Sequence, residues 1–143
     1  MPPSLAGRWL WPVLALAVGV AGICAIWVAI AVLSGTSGSW IGLVAAVDVA
    51  LLLRLTGAPR GAGGMLAAVL ATMLAIVLSQ WLVVATHLGV ALGLPPLASA
   101  LRLGPGMAWA LCSMSLSRVD WVLLAAGPVL AAILVEGAFA PRN

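Results

Sequence analysis

The chain has 143 residues, of which 65% are hydrophobic and only 6% are charged. A soluble domain carries roughly 25% charged residues, and a water-soluble fold of this length could not bury so much apolar side-chain surface. The composition therefore excludes a soluble protein and predicts a single all-α membrane domain over residues 1–143, with the lipid bilayer as its surroundings. The net charge of +3 comes from isolated arginines, so we expect no nucleic-acid partner.

The first two predicted membrane spans are residues 11–33 and 38–55. Residues 11–33 carry no charge and are long enough to cross the ~30 Å hydrocarbon core. This length favours a transmembrane helix over a cleaved signal peptide, whose apolar region is roughly 7–15 residues long. The second span is short and contains Asp48. Pro59 and the glycines of 56–64 prevent one helix from continuing into the third span.

The third and fourth predicted spans are residues 65–87 and 121–137. The apolar run of the third continues to residue 94, so either one tilted helix extends past His87 or the helix ends there. The apolar part of residues 97–118 is too short to cross the membrane. We expect a short helix at the membrane interface there. We expect Asp120 to cap the fourth span and Pro128 to kink it. The fold class is therefore a bundle of four transmembrane helices.

The arginines predict the orientation of this bundle. With four spans both termini share one side of the membrane, together with Arg8, Arg54, Arg60 and Arg142. The opposite side has only two arginines, at positions 102 and 118. The positive-inside rule then favours cytoplasmic termini, with Arg54 and Arg60 as cytoplasmic anchors.

Small residues recur at helical spacing in the spans. Such residues let helix backbones approach closely in lipid, where the hydrophobic effect cannot drive helix association. The first span has Ala17, Ala21 and Ala25 four residues apart, followed by Ala29. The third span has a small-polar stripe that includes Ala75 and Ser79. We expect both sets to pack against other helices. Gly38 and Gly42 form a GxxxG pair at the start of the second span.

Asp48 is the sharpest candidate for chemistry. A carboxylate within the membrane costs a few kcal/mol, so such residues are rare and usually have a partner or a function. Asp48 lies six residues before Arg54, about 9 Å in helix rise. Thr72 of the third span lies at a matching depth. Three readings remain open: a proton- or cation-coupling site, an interhelical hydrogen bond to Thr72 or a neighbour, and a contact with a partner protein.

Gln80 and His87 are the other intramembrane polar candidates. They are seven residues apart and are therefore expected to share one face of the third span. The single histidine and the two cysteines have no metal-ligand spacing, and no serine has the surroundings of a catalytic nucleophile. The loop at 57–64 lacks the GK[ST] ending of a phosphate-binding loop. We therefore expect no enzymatic activity, no cofactor and no metal.

The stretch from Trp40 to Val84 resembles a type of small, uncharacterised four-span bacterial membrane protein. The resemblance rests on a glycine-containing second span, an Arg–x–x–Gly exit at Arg54 to Gly57, a GxGG-like loop and an alanine-rich third span. It implies a location in the bacterial inner membrane and assigns no functional residues. The chain is also similar in size to small multidrug transporters, but these have an essential glutamate in the first helix, where this chain has no acid.

Two functions are compatible with these features. The first is a non-enzymatic accessory, assembly or immunity-type subunit that contacts another membrane protein through its helices. The second is a small homo-oligomeric transporter or channel in which Asp48 couples a proton or an ion. Binding of a lipid or another hydrophobic molecule beside Trp81 and His87 is a third possibility.

Overall fold

The computed structural model describes residues 5–59 and 61–139, and every regular element in these residues is a helix. The bounds of the six helices, in chain order, are α1 (Leu5–Ser34), α2 (Ile41–Leu55), α3 (Ala62–Leu92), α4 (Pro96–Arg102), α5 (Pro105–Ser115) and α6 (Arg118–Phe139). The predicted all-α class is confirmed for this part of the chain.

Three of the described helices, not four, are long and apolar enough to cross a membrane: α1, α3 and α6. They support the assignment as a membrane protein with transmembrane helices. The exception is α2, which corresponds to the predicted span at 38–55 and has 15 residues. At 1.5 Å per residue it rises about 22 Å, less than the ~30 Å hydrocarbon core.

Two glycines set the length of α2. Gly38 has a φ of 63°, a left-handed conformation that a helix does not contain, so the helix begins only at Ile41 and the expected GxxxG pair is broken. At the other end Gly57 has a φ of 65°. Its N–H donates to the carbonyl of Arg54, and that of Ala58 donates to the carbonyl of Leu53 at 3.1 Å. These two bonds are the Schellman pattern that ends a helix.

The direction of the four longer helices alternates along the chain, so α1 and α3 run in parallel. A Cβ on Gly63, at the start of α3, would lie 3.4 Å from the indole of Trp9, near the start of α1. The opposite end of the bundle is marked by a hydrogen bond from Ser37, which follows α1, to Asp120 in the first turn of α6. α2 therefore returns the chain from the end of α1 to the start of α3, and α6 runs back in the same direction as α2, packed against α2 and α3.

α3 is continuous from Ala62 to Leu92, so the alternative of a break near His87 is wrong. Gly89 serves packing instead, because a Cβ there would lie 2.8 Å from Ser99 Oγ of α4. The helix ends at Gly93, with a φ of 66°, and the N–H of Leu94 donates to the Gly89 carbonyl at 2.8 Å. The 31 residues rise about 46 Å, and α4 folds back against the last turns.

The predicted interfacial helix is two helices, α4 and α5, that pack against α3. Leu103 and Ala108 are buried with Val84 and Ala85 of α3. The indole Nε1 of Trp81 donates to the carbonyl of Ala100 at 3.2 Å and ties α3 to α4. The segment is therefore attached to the bundle through apolar contacts and an indole hydrogen bond.

α6 begins at Arg118, so Asp120 is the third residue of the helix and not its N-cap as predicted. Ser117 is the N-cap, and its Oγ accepts the N–H of Asp120 at 3.3 Å. Asp120 Oδ2 in turn accepts the N–H of Ser117 at 2.8 Å, which completes a reciprocal capping box. Asp120 Oδ1 accepts the hydroxyl of Ser37 at 2.9 Å, which connects α6 to the loop between α1 and α2.

The interior is closely packed around one large side chain and one glycine contact. Trp27 of α1 is completely buried, and its Nε1 donates to the carbonyl of Ser37 at 3.1 Å. A Cβ on Gly127 of α6 would lie 3.0 Å from the carbonyl oxygen of Gly42 of α2. The backbones of α2 and α6 therefore approach each other closely at these two glycines, as small residues allow in membrane proteins.

Candidate functional site

The outer surface of α1 is the candidate functional site, because it presents its small residues outward. Ala17, Ala21 and Ala25 are exposed, as is Ala29 one turn further. The described part of the chain therefore does not cover these alanines with another helix, and their predicted packing against other helices stays a prediction. Most of the buried side chains of α1 are larger, among them Leu16, Val20, Ile23 and Trp27.

A groove between α1 and α3, the alanine groove, runs beside these residues. Its volume is about 910 Å³. One wall is formed by Ala17, Ala21 and Ala25, and the other includes Leu74 and Leu78 of α3. Trp81 of α3 and two residues of α4, Ala100 and Leu101, also line the groove. Its walls are almost entirely apolar, so it fits an apolar occupant of elongated shape.

The floor of this groove is the contact between α1 and α3. Ala75 and Ser79 are completely buried. Ser79 Oγ donates to the sulfur of Cys24 at 3.2 Å, and the Cys24 thiol donates to the carbonyl of Ala75 at 3.6 Å. The small-polar stripe of α3 thus lies at a helix contact, and Cys24 is a buried, hydrogen-bonded thiol.

Asp48 lies in a second groove, on the α2 side of α1. This groove has a volume of about 440 Å³, and its lining includes Trp11, Gly19, Leu52 and Thr56. A Cβ on Gly19 would overlap the side chain of Leu52 and would lie 3.2 Å from Asp48 Oδ2, so the glycine leaves space for Leu52 and, next to it, for the carboxylate. The carboxylate is half-buried, and it makes no hydrogen bond within residues 5–59 and 61–139.

The predicted hydrogen bond between Asp48 and Thr72 is wrong. Thr72 is completely buried, and its Oγ1 has no hydrogen-bond partner in the described part of the chain. The two side chains point in different directions. Asp48 faces α1 at the outside of the bundle, whereas Thr72 faces the interior.

Gln80 and His87 have different surroundings, although both lie on α3. Gln80 is 8% exposed and lines a cleft formed with α5 and α6. His87 is exposed near the end of the helix. The seven-residue spacing places both on one face, but only the part around Gln80 is covered by the later helices.

Three of the arginines lie near the ends of the bundle. Arg8 and Arg54 are exposed at the end where α1 begins and α2 ends. Arg118 lies at the opposite end, where α6 begins. Arg60, the second predicted anchor, lies outside the described residues.

Sequence reasoning did not show which helices Gly19 and Gly127 face, and it missed the α4 residues that line the alanine groove. Gly19 and Gly127 stand out only because a Cβ at either position would meet another helix. The sequence signal available for them was the presence of glycine within an apolar helix, which often marks a close backbone approach. Ala100 and Leu101 join the alanine groove through the fold alone, since no periodic pattern links α4 to α1.

Comparison with known proteins identifies no relative of this chain. No protein-family model matches the chain, and neither a curated protein nor a solved structure matches it.

Proposed function

We propose that the protein is a non-enzymatic membrane protein that binds a transmembrane helix of another membrane protein along α1, as an accessory, assembly or immunity-type subunit. The observation that carries this proposal is the exposed row of alanines on the wall of the alanine groove. Hydrophobicity does not favour helix association in lipid, so close backbone approach is the main source of stability. A row of alanines provides that approach.

A helix suits this surface better than a lipid chain does. From Ala17 to Ala29 the row extends about 18 Å along the helix axis, which is more than three helical turns. A flexible acyl chain packs against large and small side chains alike, whereas a rigid helix needs small residues at regular spacing. The four-residue period of the row therefore favours a helical partner.

We further propose a location in the bacterial inner membrane, with both ends of the chain in the cytoplasm. The support is the sequence resemblance and the arginine distribution. Arg8 and Arg54 lie at one end of the bundle, and the positive-inside rule assigns that end to the cytoplasm.

The alternative is a homo-oligomeric transporter or channel that uses Asp48. Its support is the half-buried carboxylate with no hydrogen bond in the described residues. The groove that holds Asp48 opens at the outside of the bundle, so a pathway past the carboxylate would require a second copy of the chain.

The test is isolation of the tagged protein from its native membranes in mild detergent, with three forms compared. The forms are wild type, Ala21→Leu in the alanine row, and Ala125→Leu at an exposed position of α6. Both variants add the same bulk, and circular dichroism verifies that both keep their helix content. Mass spectrometry then identifies the proteins that co-purify.

We expect a stoichiometric membrane protein with wild type and Ala125→Leu, and its loss with Ala21→Leu. Equal recovery with all three forms would contradict the use of the alanine row. A homo-oligomer without another protein would favour the transporter, and reconstituted wild type should then show a proton or ion flux that Asp48→Asn abolishes.

A further inference from the structure

The cleft that Gln80 lines is a third cavity, which lies between α3, α5 and α6 and away from the alanine row of α1. This cleft has a volume of about 240 Å³. Its walls include three tryptophans, Trp81 of α3, Trp109 of α5 and Trp121 of α6. The rings of Trp109 and Trp121 are 5.7 Å apart between centroids, at an interplanar angle of 60°. For comparison, an apolar cavity of roughly 150 Å³ in another protein binds benzene. The cleft therefore has room for a substituted aromatic ring or a molecule of similar size.

One polar side chain contributes to these apolar walls. Gln80 lines the cleft, is more than nine-tenths buried, and its Nε2 has no hydrogen-bond partner in the described part of the chain. A buried donor without an acceptor is costly, and buried polar groups in native proteins nearly always have a partner. The terminal torsion of glutamine is soft, so the amide can turn an N–H toward a molecule in the cleft.

The chemistry of the cleft selects the ligand class. Its lining contains no charged residue, so an ion would lose its hydration without compensation. The tryptophans provide aromatic surface, and the amide provides one donor. We propose that this cleft binds an uncharged, mostly apolar molecule that carries a carbonyl oxygen, which accepts a hydrogen bond from Gln80. Such a carbonyl occurs in a free membrane-soluble ketone or quinone and in the ester of a bilayer lipid.

The test is photolabelling of the protein in phospholipid nanodiscs with benzophenone, an uncharged ketone that cross-links to its neighbours on illumination. Mass spectrometry locates the label. Met114 of α5, which is 85% exposed, gives the background from probe dissolved in the lipid. We expect labelling of the cleft residues above that background. The variant Cys112→Phe fills the cleft and should reduce its labelling at least tenfold, whereas Ser113→Phe, at an exposed neighbour, should not.

The role of Gln80 is tested by competition with two molecules of nearly equal shape. Acetophenone has a carbonyl oxygen where α-methylstyrene has a CH₂ group. With wild type we expect acetophenone to inhibit labelling at a concentration roughly two- to tenfold lower, which corresponds to one net hydrogen bond. In Gln80→Leu, which keeps the apolar shape, this preference should be lost. Because both variants are measured in the same lipid, the change in preference is independent of partitioning.

Any of three results would overturn the proposal: labelling of the cleft no higher than at Met114, labelling that Cys112→Phe leaves unchanged, or an acetophenone preference that Gln80→Leu retains. A final comparison identifies the source of the carbonyl. If the lipid ester occupies the cleft, labelling increases in nanodiscs of diether lipids, which lack that carbonyl. If a free molecule is the natural ligand, labelling is equal in diester and diether lipids.

Discussion

Replacement of Trp27 by alanine should be among the most destabilising substitutions in the chain. Trp27 is the largest completely buried side chain in the described residues, and its indole donates a hydrogen bond to the carbonyl of Ser37. Removal of a buried tryptophan side chain typically costs about 3–5 kcal/mol. We expect about 3 kcal/mol, because apolar surface gains little when it moves from detergent into a membrane protein. Trp27→Phe keeps most of the packing and loses mainly the hydrogen bond, at about 0.5–1.5 kcal/mol.

The assay uses Cys24, which is buried and hydrogen-bonded in the folded protein. In a Cys112→Ser background, alkylation of Cys24 during titration with dodecyl sulfate reports the unfolded fraction. The control is Trp40→Ala, because Trp40 is 52% exposed at the same end of the bundle, and exposed substitutions usually change stability by less than about 0.5 kcal/mol. Equal unfolding midpoints for Trp27→Ala and Trp40→Ala would refute the reasoning.

Three further predictions use the same part of the fold. Gly127→Ala should lower the free energy of unfolding by about 1–3 kcal/mol in the same assay, because its Cβ would crowd a backbone carbonyl of α2. Gly22→Ala, where the added Cβ faces open space, should not lower it. Equal effects of the two substitutions would contradict the close contact. Asp120→Ala should lower the free energy of unfolding by about 1–3 kcal/mol, because the capping hydrogen bond and the hydrogen bond to Ser37 are lost. Glu136→Ala, which removes an exposed carboxylate on the same helix, should lower it by less than about 0.5 kcal/mol. Burial raises the pKa of the Cys112 thiol, so its thiolate fraction at a given pH is smaller than that of a free thiol. The pH at which maleimide labelling reaches its plateau, measured by mass spectrometry, should therefore be higher for Cys112 than for N-acetylcysteine amide, a free thiol without a neighbouring charge. A plateau at the same pH or lower would argue against the burial of the thiol.

The class of the protein was predictable because composition and uninterrupted apolar length act locally along the chain. The same information placed α1, α3 and α6 close to their observed positions. It overestimated α2, because a glycine in an apolar run fits a helix as well as a turn. Only the surrounding fold shows that Gly38 has a positive φ.

Directions around a helix were harder to predict than depths along it. Helix rise can be counted along the sequence, but which face of a helix meets which neighbour depends on contacts between distant segments. For Asp48 these contacts are with α1, where Trp11 and Gly19 line the same groove. The alanines of α1 illustrate the same limit, since their spacing indicates a packing surface without showing whether the partner lies in the same chain.

The shortness of α2 has a consequence for how the protein is made. α2 carries both Asp48 and Arg54 and lacks the length of a membrane-spanning segment, so its transfer into lipid on its own is unfavourable. Yet α1 and α3 run in parallel, so the connecting segment must pass from one end of the bundle to the other. We expect α2 to enter the membrane only together with its neighbours. Stable insertion of this segment then depends on its packing against the other helices and does not precede it.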